Sequence, residues 1–198
     1  YGLDQNKLTL VKNTIKEVPA TLTAADISKD TKNFLFVGRF DKQKGFDLLL
    51  EAIAATRSED FRVYCIGDFV VNNDPKQLEM VSSDKRIIHL GWKTKLEVLQ
   101  YMKACDALIM PSRWEGFGLV ALEALCCGCP VFHSGKGGLG DIYEKSEYFS
   151  VIPEGKLNNI IELPKSKLLE IKLCCSSSFK NDYWMKNLVT LMNREYGV

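Results

Sequence analysis

The sequence predicts an α/β fold built on a doubly wound parallel sheet. Three observations carry that prediction. Strand-like and helix-like segments alternate along the chain. The strand-like runs are apolar throughout rather than at every second residue. Several of them end in glycine, or in Pro-Ser, shortly before a helix begins. Strands buried on both faces read as continuous apolar runs, and strand–helix alternation favours parallel pairing.

The elements follow in order. NFLFVG (33–38) is the first buried strand. GFDLLLEAIAAT (45–56) places Phe46, Leu49, Leu50 and Ile53 at helical spacing. FRVYCIG (61–67) and RIIHLG (86–91) are the next two strands. KLEVLQYMKAC (95–105) sets Val98, Leu99, Met102 and Cys105 along one helical face. DALIMPS (106–112) is strand-like. FGLVALEALCCG (117–128) is a helix apolar on nearly every side, hence buried, and Gly128 ends it as a C-terminal cap does. CPVFHS (129–134) returns as a strand, and YFSVIP (148–153) reads as one more. CCSSSFKND (174–182) reads as a hinge before a final helix carrying Trp184, Leu188, Leu191 and Tyr196. Ligands of such sheets bind outside the carboxyl ends of the strands. The loops after Gly38, Gly67, Gly91, Pro111 and Ser134 are therefore expected to line one rim.

Composition narrows the class. The 198 residues are 46% apolar and 26% charged, enough for one large domain with an ordinary core. A net charge of +1 makes no bulk electrostatic case for nucleic acid or an anionic membrane. No apolar run is long enough to span a bilayer, and the first residues lack the regions of a signal peptide. The seven cysteines are Cys65, Cys105, Cys126, Cys127, Cys129, Cys174 and Cys175, an odd number spread through helices and strands. They read as reduced, small apolar groups. CCGC (126–129) lacks a second pair or a suitably spaced histidine, and His89 and His133 read as isolated strand residues, so no metal site is assigned.

Chemistry concentrates in three loops. VGRFDKQKG (37–45) carries Arg39 just past a strand and Lys44 at a helix start. Two cations and a helix N-terminus suit a phosphate, although solvated surface charges would look the same. In PSRWEGFGLVALEAL (111–125), Gly116 and Gly118 bracket Phe117, which lets the backbone approach a ligand closely. Glu115 is suited to accept hydrogen bonds from sugar hydroxyls. Glu123 is costly to bury alone: either a ribose diol satisfies it, or a lysine does. GKGGLG (135–140) matches G-x-G-x-x-G and by itself points to an NAD-dependent oxidoreductase. It follows at least five strands, however, whereas that fingerprint belongs in the first strand–helix turn. A glycine-rich loop closing over the rim is the better reading.

In order and spacing these motifs resemble the C-terminal, donor-binding domain of retaining glycosyltransferases of the GT-B fold, family 4, often called group 1. Gly38, Arg39, Lys44 and Gly45 match its G-R-x(4)-K-G loop. Gly67 and Asp68 match a strand ending in Gly-Asp, and Pro111 to Glu123 match P-S-x-x-E-G-F-G-x(4)-E. Gly128, Pro130, Val131, Gly137 and Gly138 match a G-x-P-V strand and a Gly-Gly loop. Two departures stand out: Gly140 and Asp141 replace Pro-Glu, and Asn13-Thr14 stands where relatives carry Asn-Gly.

The resemblance implies a Rossmann-like GT-B half. Residues 17–178 would bind the nucleotide sugar and 1–16 would form an interdomain linker strand. Residues 179–198 would be a helix packing toward an N-terminal acceptor domain that this chain lacks. It implies transfer of a sugar from a UDP- or GDP-sugar to an acceptor hydroxyl, in surface polysaccharide or glycolipid synthesis, with neither cofactor nor metal. Arg39 and Lys44 would neutralise the diphosphate, and Glu115 would contact the transferred sugar. Gly38, Asp68, Trp92, Lys93, Gly116, Phe117, Gly118, Leu119 and Glu123 would bind the donor, Glu123 through the ribose and Trp92 and Lys93 beside the base. The location implied is cytoplasmic, or peripheral at the inner membrane face through the missing half. The competing reading is a module that binds a nucleotide sugar without turnover.

Overall fold

The computed structural model describes residues 15, 18–70, 74–139 and 148–178. The expected linker strand, apart from Ile15, and the expected final helix lie outside the described residues, as do Gly140 and Asp141. Six strands form one all-parallel sheet: β1 (Lys32–Val37), β2 (Phe61–Ile66), β3 (Ile87–Gly91), β4 (Ala107–Met110), β5 (Val131–His133) and β6 (Phe149–Val151). Their order is β3-β2-β1-β4-β5-β6. Chain direction across the sheet reverses between β1 and β4, the point where such folds open a crevice.

Helices α1 (Phe46–Ala55), α2 (Pro75–Ser83), α3 (Lys95–Ala104), α4 (Leu119–Cys126), α5 (Leu157–Ile161) and α6 (Lys165–Ser178) cover the two faces. Successive residues of β1 show why its run is continuously apolar. Phe34 and Phe36 enter the core under α1, while Leu35 enters the core under α3 and α4. Each such side chain contributes about 1.5–3 kcal/mol by leaving water. On the α1 side Phe40 stacks on Phe46 with ring centroids 4.0 Å apart, which anchors the β1–α1 loop to its own helix. Ile15 packs against the core on the other side.

Two segments differ from expectation. Helix α2 is absent from the sequence reading because Val81 is its one buried residue, leaving little apolar periodicity. Its signal lies at the start instead, where the Asp74 carboxylate accepts from Lys76 N at 3.0 Å ahead of Pro75. The hinge expected at 174–182 is not found in its first part, since α6 runs through Cys174 to Ser178. Within the helix Ser176 donates its hydroxyl back to Lys172 O at 2.9 Å, and buried Cys175 packs against α4, which holds this turn in place. Gly128 behaves as expected, with φ 72° immediately after the Cys127 cap of α4.

Candidate active site

Because β1 and β4 are neighbours, the β1–α1 and β4–α4 loops meet at the carboxyl edge of the sheet. Their contact is close enough to require glycine. Gly45 has φ 69°, and a Cβ there would sit 2.1 Å from Pro111 O. Across this seam Lys44 Nζ meets Glu115 Oε2 at 2.7 Å, 71 positions apart in sequence. The Ser112 hydroxyl lies 3.4 Å from the same oxygen. An ammonium has three N–H donors, and among the described residues Lys44 directs one of them, to Glu115. Glu115 Oε1 has no hydrogen-bond partner among the described residues.

Arg39 is held within its own loop. Its Nε lies 3.0 Å from Asp41 Oδ2, and it donates to Gln43 Oε1 at 3.0 Å. Arg113, which the sequence reading passed over, joins the two loops. Its guanidinium grips Asp47 through two bonds, and those bonds raise its pKa above the ordinary arginine value. The signal for it was position alone: an arginine two residues before Glu115.

The expected glycine-rich loop does lie over this rim. Gly138 N donates to Glu115 O at 2.8 Å, and a Cβ on Gly138 would fall 2.1 Å from Gly116 O. Gly137, with φ 62°, packs as closely on Glu115 O. These glycines of the G-x-G-x-x-G pattern thus serve backbone-to-backbone packing. The loop hangs from His133, whose Nδ1 accepts from Gly135 N at 3.1 Å. His133 is not isolated: its ring stacks on Phe149 at 4.0 Å. Its Nε2 has no partner among the described residues, and burial drives its pKa down to about 4.

The donor-binding residues expected on β2, β3 and their loops occupy the same carboxyl edge. Asp68 Oδ1 accepts from Phe69 N at 2.8 Å. His89 is not an isolated core residue either; its Nε2 donates to Gly67 O at 3.0 Å and lies 3.8 Å from Asp68. A side chain on Gly67 would collide with Gly38 O, which keeps β1 and β2 tight at their ends. Trp92 is 62% exposed on the β3–α3 loop, and Lys93 lies 3.9 Å from Glu97. Gly116 is exposed, Phe117 is half-buried, and Gly118 (φ 82°) begins α4 ahead of exposed Leu119. Of the two readings of Glu123, the structure shows the lysine: Glu123 Oε1 pairs with Lys95 Nζ. Burial raises the thiols as well, Cys126 to about 11 and both Cys127 and Cys175 to about 12, so they are protonated at neutral pH. A cavity of about 620 Å³ lies between α1 and the β6–α5 connection, and it adjoins the Lys44–Glu115 seam at Ser112.

Residues 31–163 match the family described as glycosyl transferases group 1. The chain belongs to this family. Among its relatives is an uncharacterised glycosyltransferase of Methanocaldococcus jannaschii, 39% identical over 146 residues, covering 69% of this chain and 37% of the relative. The fold is shared with the lipopolysaccharide outer core galactosyltransferase WaaB (TM-score 0.68, 22% identity, 98% of this chain and 57% of that one). It is shared too with Anabaena HepE, solved in complex with UDP and glucose (TM-score 0.68, 21% identity, 84% of this chain and 49% of that one). The chain spans about half the length of these structures. It is thus a group 1 sequence carrying the Rossmann-like half of the GT-B architecture.

Proposed function

We propose that this chain is the nucleotide-sugar-binding half of a retaining glycosyltransferase that moves a sugar from a nucleoside diphosphate sugar to an acceptor hydroxyl. The observation that carries the reading is the Lys44–Glu115 pair at the sheet's reversal point, with donors left on one partner and an acceptor oxygen left on the other. The remaining Lys44 N–H groups, Arg39 and the first amides of α4 would hold the diphosphate, and Glu115 Oε1 would accept from a sugar hydroxyl. Trp92 and Lys93 would flank the base, and Asp68 would line the same rim. Glu123 would reach the ribose by sharing its carboxylate with Lys95.

In the reaction the bond from the anomeric carbon to the diphosphate oxygen breaks, and its electron pair leaves with the diphosphate. The acceptor oxygen forms the new bond on the same face, and its proton passes to a phosphate oxygen of the leaving group. Charge grows on that leaving group, so Lys44 and Arg39 act where catalysis needs them. Losing one such donor costs about 100- to 1,000-fold in rate. Cationic side chains supply the neutralisation, and neither a metal nor a cofactor enters this reading. An acceptor-binding domain completes the cleft, and surface polysaccharide or glycolipid is the proposed product class, at the cytoplasmic side of the membrane. No described helix is long and apolar enough to cross a membrane.

Titration calorimetry of the chain with UDP, GDP, ADP and UDP-glucose tests the reading, with NADH as a control. One nucleoside diphosphate is expected to bind, and Lys44→Ala to weaken it by about tenfold or more. Absence of binding by all of them, or binding of NADH alone, overturns it.

A further inference from the structure

Arg113 precedes Glu115 by two residues, and its guanidinium reaches across to α1. Its Nη1 donates to Lys42 O at 2.7 Å and to Asp47 Oδ1 at 2.7 Å. Its Nη2 donates to Asp47 Oδ2 at 2.8 Å, and its backbone N–H donates to Gln43 O at 2.8 Å. These four bonds end on residues 42, 43 and 47, which bracket Lys44. Asp47 is a firm anchor: its side chain is 14% exposed, and it stands in the first turn of α1, where the helix dipole favours a carboxylate.

The pair that Arg113 brackets does not define its own spacing. Lys44 and Glu115 are long side chains on loops, and an ion pair between such groups forms over a range of loop separations, more weakly as the spacing departs from contact. A planar bidentate fork tolerates far less movement. The Gly45–Pro111 contact sets how near the loops come, and the Arg113 fork sets their lateral register.

We propose that Arg113 is a positioning residue for donor binding: its fork to Asp47 locks the β4–α4 loop onto the first turn of α1 and thereby sets the spacing of Lys44 and Glu115. This rests on the reading of that pair as the donor site. A lysine at 113 would carry the charge without the fork, so the proposal predicts graded behaviour rather than a simple charge effect.

The test uses the chain in three measurements: affinity for UDP and UDP-glucose (or the diphosphate the wild type prefers), the midpoint of thermal unfolding, and a double-mutant cycle. The cycle takes Lys44→Met and Glu115→Gln in denaturant unfolding, in the wild-type background and again with Arg113→Gln. Arg113→Gln is expected to weaken nucleotide affinity by about five- to tenfold, with Arg113→Lys in between. Asp47→Asn should match Arg113→Gln, and the double variant should be no worse than either single one. The Lys44–Glu115 coupling should shrink in the Arg113→Gln background. If Arg113→Gln does not fold, the same comparisons are made with Arg113→Lys. Unchanged affinity, or a lowered midpoint with the coupling intact, makes Arg113 merely structural and overturns the proposal. Should the wild type bind none of the nucleotides, the donor reading fails, while the ligand-free coupling cycle still decides whether Arg113 positions the pair.

Discussion

Charged groups join the helices to the sheet at both of its edges, and the two edges differ in how the protein employs its lysine donors. At the amino edge Asp106, 3% exposed, accepts from Asn33 N at 2.7 Å and from Lys165 Nζ at 2.6 Å. Lys165 donates a second time to Thr31 O at 2.8 Å. Lys172 uses all three donors on the last carbonyls of α3 and the residue after it, Lys103 O, Ala104 O and Cys105 O. Buried Lys32 donates to Ile161 O at 2.8 Å. At the carboxyl edge Lys44 directs one donor to Glu115, and Glu115 Oε1 has no described partner. Lys165 and Lys172, with two and three donors occupied by the protein, serve to fix the structure. Charges with valences left over, at a crevice, are equipped to bind.

Breaking the amino edge should have the largest effect. Asp106→Ala leaves a lysine and a buried amide without their acceptor, and a stability loss of about 3 kcal/mol in denaturant unfolding is expected. Nucleotide affinity should be unchanged in that variant. Gly45→Ala comes next, at about 2 kcal/mol, because φ 69° and the Pro111 carbonyl both oppose a side chain. Here calorimetry should also show weaker nucleotide binding, since the loop seam must open.

His133 is the intermediate case, buried with one nitrogen used and one not. Its folded pKa of about 4 lies below the ordinary histidine value of 6.5. Between those values the unfolded chain binds the proton and the folded one does not, so stability falls as pH drops through that window. The contribution lost is at most about 3 kcal/mol, and His133→Leu should flatten that part of the pH–stability curve. The smallest stability effect belongs to Lys44→Ala, at most about 1 kcal/mol, despite its effect on binding. If Lys44→Ala destabilises as much as Asp106→Ala, the contrast between the edges is lost.

Much of the fold was legible because burial on both faces leaves a mark in one dimension. Phe34, Leu35 and Phe36 all had to be apolar, and Leu122, Ala124 and Leu125 gave α4 an apolar surface nearly all round. The weakly apolar α2 left too little periodicity, and the serines of α6 suggested a break that packing against α4 overrides. His89 and His133 looked like plain strand residues because their partners are a carbonyl just past the end of the neighbouring strand and an amide two residues on.

The sequence alone determined the strand–helix alternation, the glycines at the rim and the identities of Lys44 and Glu115, since each depends on local spacing or on one residue's chemistry. Only the tertiary structure decided that Lys44 meets Glu115, that Glu123 meets Lys95, and that Arg113 turns to Asp47. Those pairings depend on β1 lying beside β4 and α3 beside α4. That adjacency comes from the order in which the whole sheet assembles, and no local stretch of residues encodes it.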